Sequence, residues 1–268
     1  MSNPLLVLVQ ARMNSSRFPG KIIKEVLGIP LLVHQLNRMA RIKTLAKIVV
    51  ITSDQPSDDI IESTSIKFGY EVFRGSLLDL LDRHYQAAVF YQASTIVKIP
   101  SDCPLIDTAV IDRVLSYYFK NEQSFDYVSN LHPASYPDGN DVEIMSFSAL
   151  ERAWKEAVRP LEREHTTPYF WENPDLFSIG NVVWETGFTY DMSHRFTLDY
   201  PEDYEFINKV YEKLYPINPR FTLKDILDLL VFEPEIFQIN QSLAGVNWYR
   251  NHLEELKTIL PSQTKLSL

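Results

Sequence analysis

The 268-residue chain predicts an α/β protein in which a mostly parallel, Rossmann-like sheet lies between helices, with further helices at its C-terminal end. Three observations lead there. Short unbroken apolar runs recur along the first half, each followed by a polar turn and a stretch of helical length. A composition of 45% hydrophobic and 23% charged residues suits a buried core and excludes disorder and collagen. A single cysteine, Cys103, excludes an intrachain disulfide scaffold and a cysteine-built zinc site, and fits a reducing compartment.

Residues 5–11 (LLVLVQA) are apolar almost throughout, as a strand covered on both faces requires. The turn NSSRFPGK and a helix over about 30–42 follow. Residues 47–52 repeat the pattern, with the turn SDQPSDD and a helix reaching about 68. A short third strand at 71–73 leads through RGS to a helix over about 78–92. The fourth strand, 95–100 (TIVKIP), runs into SDCPLID and a helix to about 120; 126–129 is a fifth. This alternation specifies right-handed crossovers, and parallel sheets bind ligands outside the carboxyl ends of their strands. Beyond 130 the rhythm changes. Strands are expected at 142–145, 177–183 and 196–198, and helices at 147–158, 163–172 and 201–214. Two or three more helices fall between 223 and 260. No repeat or linker divides the chain. No apolar run is long enough for a signal core or a membrane span, so a cytoplasmic protein is expected.

The formal charge of −9 argues against wholesale nucleic-acid binding, but its distribution is uneven. Residues 1–50 hold eight bases and one acid, a charge of +7. The other residues hold 18 bases and 34 acids, a charge of −16. Within the basic end, QARMNSSRFPGK places Arg12, Arg17 and Lys21 in the turn after the first strand. Ser15 and Ser16 there permit close backbone approach to an anion. With one glycine, Gly20, this is neither a P-loop nor a dinucleotide fingerprint. A triphosphate clamp accounts for three cations there better than a solvated loop does. Asp102, in the turn after the fourth strand, and Asp199, in RFTLDYPED, are each candidates either for helix capping or for an oxygen-rich Mg²⁺ site. Asp107 reads as an N-cap.

These motifs resemble a known family. QARMNSSRFPGK is similar to the [IV]xARxxSxRxPGK signature of the cytidylyltransferases that activate 3-deoxy-manno-octulosonate and acylneuraminates. DCPLID and TLDYPEDYEFI resemble that family's two aspartate segments. RGS (74–76), LDRHYQAA (81–88), YVSN (127–130), YPDGNDVE (136–143) and EREHTTPY (162–169) resemble the branch of the spore coat polysaccharide biosynthesis protein F. The matches run in order over roughly 5–210.

The resemblance implies a three-layer nucleotide-diphospho-sugar transferase fold, Mg²⁺ and CTP. It implies a nucleotidyltransferase domain over 1–215, with about 130–200 forming the acceptor and homodimer part, and a helical extension over 216–268. By position, Ala11, Arg12, Ser15, Arg17, Lys21, Arg74 and Asp102 would bind nucleotide, with Lys21 and Arg12 catalytic. Asp102 and Asp199 would hold the metal. Tyr136, Asp138, Asp141, Glu143 and His165 would face a small anionic or sugar-type acceptor. Ordinary turn chemistry for residues 136–143 and a surface or capping role for His165 stand beside that reading. Arg74 and Arg83 could contact nucleotide or acceptor, or only pair with the many nearby acids. One position departs: the family usually has Gly where this chain has Ser101, which a requirement for positive φ would strain and a close backbone approach to the nucleotide would crowd. The expected reaction is transfer of CMP from CTP with loss of pyrophosphate, in surface glycan biosynthesis. A glycosyltransferase on the same fold is the competing enzyme class, although the chain has no D-x-D pair. A non-catalytic nucleotide binder is the third reading.

Overall fold

A computed structural model describes residues 5–121 and 124–267; residues 1–4 and 268, at the outer limits of the two expected segments, lie outside it. Nine strands and ten α-helices are assigned among the described residues. The main sheet has seven strands: β1 (Leu5–Gln10), β4 (Ala46–Ser53), β5 (Glu71–Gly75), β6 (Thr95–Pro100), β7 (Tyr127–Ser129), β8 (Glu143–Ser146) and β9 (Ile179–Asn181). Their spatial order is β5-β4-β1-β6-β8-β7-β9. Only β8 runs antiparallel to its neighbours.

The apolar run of β1 is explained by its central place. Leu5, Val7 and Val9 enter a core on one face, while Leu6 and Leu8 enter a second core on the other. The first core also takes residues from α1 (Leu31–Met39), α2 (Asp59–Lys67), α4 (Thr108–Lys120), α8 (Pro201–Leu214), α9 (Leu223–Phe232) and α10 (Pro234–Gln238). The second takes residues from α3 (Leu80–Phe90), α5 (Phe147–Glu156), α6 (Pro160–His165) and α7 (Pro168–Trp171). The three expected layers are present. Asp107 caps α4, its side chain accepting from Ala109 N at 2.7 Å. At the start of α8, the Asp203 carboxylate accepts from both Asp199 N and Tyr200 N at 2.9 Å, so Asp199 does not cap this helix.

The structure corrects several expectations. A two-residue turn, Leu27 and Gly28 with φ of 51° and 74°, joins an unexpected hairpin of β2 (Glu25–Val26) and β3 (Ile29–Pro30). The expected helix over 163–172 is broken. Pro168 lacks an N–H and disfavours helix before it, and Thr166 adopts φ 70° between α6 and α7. Residues 196–198 form no strand. Leu198 N donates to Asp102 O and Phe196 N to Asp138 O, each at 2.8 Å, so this segment stitches two turns instead of joining a ladder. The tail after α10 holds short 3-10 turns in place of a third α-helix.

Candidate active site

Connections leave β1 toward β4 and β5 on one side, whereas β6 lies on the other. The carboxyl ends of β1 and β6 therefore flank the point where strand order reverses, where parallel sheets leave a crevice. A cavity of about 350 Å³ opens there.

Its basic rim is held in shape by the loop's own backbone. Met13 O accepts from Ser15 N and Gly20 N, both at 3.0 Å, and Met13 N donates to Asp58 Oδ1 at 2.8 Å. Asp58 also accepts from Thr52 Oγ1 and Ser53, tying the loop to the end of β4. Burial would raise the Asp58 carboxyl, but these donors keep it below the usual range. Thr52 and Ser53 are local partners of Asp58, but its bond to Met13 N, which holds the basic loop, comes from another turn and left no local signal.

Gly20, at φ 69°, turns the chain so that the Lys21 side chain enters the protein. The Lys21 ammonium donates to Leu198 O at 2.6 Å and Asp199 Oδ1 at 2.8 Å, and reaches Asp102 Oδ2 at 3.5 Å. Arg17 Nη2 pairs with the same Asp199 oxygen at 2.8 Å, and Arg195 lies 3.6 Å from the other. Two carboxylates from distant segments thus meet at one buried ammonium. Burial would raise Asp199, but Lys21 and then Arg17 hold its carboxyl at about 2. Burial would likewise depress Lys21, yet Asp102 and Asp199 raise it. Arg12 lines the cavity with no hydrogen-bond or ion-pair partner among the described residues, so its guanidinium is available to a ligand. Ala11 and Ser15 line the same wall.

Arg74 takes the pairing alternative. Its guanidinium donates to Ser53 O, Gln55 O, Asp59 and Glu62 at 2.6–2.9 Å and does not line the cavity. It ties β5 to the turn before α2. Arg83 lines the cavity instead, buried, donating to Ser76 O and Leu77 O. Ser101 is absent from the positive-φ residues, and its N–H donates to Gln10 O at 3.1 Å, so the serine is not strained.

On the other side stand Tyr136, Asp138, Asp141, Glu143 and His165. Tyr136 presents its ring, while its hydroxyl donates to Glu185. Asp138 pairs with Arg195 at 3.4 Å, and Arg195 is itself gripped bidentately by Asp203 at 2.8 and 3.0 Å. Burial, despite Arg195, raises the Asp138 carboxyl; burial together with Asp102 and Glu143 pushes Asp141 up to about 7. Glu143 is buried beneath them, accepting from Lys98 and the Tyr127 hydroxyl, which keep it ionised despite burial. A lysine inside the buried run TIVKIP signalled such a partner. Burial, with Lys98, His252 and Arg12, lowers His165 to about 3, so the imidazole is neutral.

Among the described residues no three acidic, histidine or cysteine side chains form a ready metal cage. Mg²⁺ does not require one: one or two carboxylates with substrate phosphates and water suffice. Asp102 and Asp199 direct hard oxygens to one point where a cation, Lys21, already lies, so the donor set fits Mg²⁺.

A parallel-sheet crevice with a cationic rim and a carboxylate floor suits the phosphates of a nucleotide, as in the nucleotidyltransferase class. The chain belongs to the cytidylyltransferase family, whose model matches residues 6–222. It is 29% identical to the spore coat polysaccharide biosynthesis protein SpsF of Bacillus subtilis, over 87% of this chain and 96% of that one. A solved cytidylyltransferase from Leptospira borgpetersenii superposes with a TM-score of 0.83 at 32% identity, covering 89% and 98% of the two chains. A CMP:2-keto-3-deoxy-manno-octonic acid synthetase complexed with CTP shares the fold at TM-score 0.60 and 15% identity, over 78% and 99%. The chain is therefore a CTP-dependent nucleotidyltransferase, which sets the glycosyltransferase reading aside.

Proposed function

We propose that the protein transfers CMP from CTP to a sugar acid or related acceptor, releasing pyrophosphate, in glycan biosynthesis. The observation that carries this reading is the Lys21 ammonium joining Asp102 and Asp199 beside the loop of Arg12 and Arg17. An acceptor oxygen attacks the α-phosphorus in line as the bond to the β-phosphate breaks. The protein's contribution is positioning and charge neutralisation. Lys21 and Arg12 oppose charge on the α-phosphate and the leaving pyrophosphate, and Arg17 binds the distal phosphates. Asp102 and Asp199 would hold Mg²⁺, which when bound supplies Lewis-acid neutralisation of phosphate charge. His165, neutral and weakly basic, orients the acceptor, and the proton of the acceptor hydroxyl leaves to solvent water. The name of the CTP-bound structural neighbour supports a sugar-acid acceptor.

A thermal-shift panel of CTP, GTP, UTP and ATP with Mg²⁺ tests the reading. Selective stabilisation by CTP is expected. An equal response to all four, or to none, removes its basis.

A further inference from the structure

The acceptor side of the cleft is completed by residues beyond the family model. Leu230 and Ile236, in α9 and α10, belong to the core on one face of the sheet, whereas Leu256 and Ile259 belong to the other. The chain between them must cross the sheet, and it does so over the cleft, where residues 245–249 line the cavity. This crossing is braced. Val246 O accepts from Arg195 Nη1 at 2.6 Å, and Asn240 donates to Arg195 O and Asp203 at 3.0 and 2.9 Å. Lys265 N closes onto Gly245 O at 2.7 Å. The strap is thus locked to the segment that carries Asp199.

Its side chains have one chemistry. The Trp248 and His165 rings stack at 4.0 Å and 11°, with Tyr249 next to Trp248 at 4.6 Å. The Tyr249 hydroxyl and the Trp248 indole N–H have no hydrogen-bond partner among the described residues. Asp191 Oδ1, also on the cleft wall, is buried and unpartnered. Aromatic faces attract weakly positive C–H groups, the half-buried tips of Tyr249 and Trp248 can exchange water for a ligand's hydroxyls, and the buried Asp191 oxygen calls for a donor. A polyhydroxylated ring offers both.

Resting on the cytidylyltransfer reading above, we propose that residues 245–249 are the acceptor-recognition element of this chain. A pyranose-type sugar packs its C–H face on the Trp248–His165 pair and meets the Tyr249 hydroxyl and Asp191 with its own hydroxyls.

The test is calorimetric titration of wild type, W248A and Y249F, each saturated with Mg²⁺ and non-cleavable α,β-methylene CTP. The sugars are 3-deoxy-manno-octulosonate, its 8-amino-3,8-dideoxy analogue and N-acetylneuraminate. Nucleotide binding is measured first, and its absence in wild type defeats the underlying enzymatic reading instead. With nucleotide binding equal in wild type and W248A, at least one sugar should bind wild type and lose about tenfold in affinity in W248A. Should W248A lose nucleotide binding as well, Y249F, which removes only a hydroxyl, should bind that sugar at least about threefold more weakly. No sugar binding by wild type, or wild-type affinity in the variant so read, overturns the proposal.

Discussion

Lys21 places one ammonium against the Leu198 carbonyl, Asp199 and Asp102 at once, so its removal leaves two carboxylates facing each other with less compensation. A contact that neutralises charge in the transition state is worth about 3–4 kcal/mol, so Lys21→Ala should lower kcat roughly 10²–10³-fold. Pyrophosphate release in the presence of CTP and a true acceptor measures this. An unchanged rate refutes the role. At this scale the sequence showed which residues carry charge but not what each charge faces. Arg12 and Arg74 look alike as isolated cations; one stands free in the cleft, and the other is saturated by Asp59, Glu62 and two carbonyls. Burial and pairing depend on partners from other segments, which local spacing does not report.

Among the elements, the turn 136–141 and the segment 194–199 act together. Gly139, at φ 98°, lies so close that an added Cβ would stand 2.6 Å from Thr197 N and 2.7 Å from Phe196 C. Neither backbone atom has room to move, because Phe196 N and Asp138 N are both engaged between the two segments. Gly139→Ala should therefore destabilise the fold by about 2 kcal/mol or more, through overpacking and the left-handed backbone. It should also weaken CTP binding by shifting Asp199. Chemical denaturation and nucleotide titration check the two effects, and a variant matching wild type in both refutes the coupling. The sheet strands and most helices were legible because burial on two faces leaves unbroken apolar runs. The break before Pro168 was missed, because the helical pattern across it obscured the stop that proline signals. The segment 196–198 has strand composition but lacks a strand partner, and only the fold supplies or withholds one.

Across the whole molecule, buried histidines link stability to pH. Burial lowers His84 to about 3, and its Nε2 has no partner among the described residues. The unfolded chain protonates the same group near 6.5. Below that pH the unfolded state binds the extra proton, so His84 subtracts about 1.4 kcal/mol of stability per pH unit until it protonates near 3. His132, at about 4, and His165, at about 3, act in the same sense. The raised Asp138 and Asp141 act oppositely, because the folded state takes up their protons first. The informative quantity is thus a difference: His84→Gln should flatten the stability–pH slope by one proton between pH 6.5 and 4.5. Denaturation series at several pH values measure it, and identical slopes contradict the assignment.

The sequence by itself determined the alternating strands and helices, the cationic loop after the first strand and the two aspartates. Each rests on local hydrophobic period or on motif residues adjacent in the chain. Only the tertiary structure decided that Asp102 and Asp199 share one ammonium, that Arg74 lies outside the cleft and that the tail crosses over it. Those facts depend on which segments the two cores draw together. In particular, residues on either side of 245–249 pack on opposite faces of one sheet, and that forces the connection across the ligand edge.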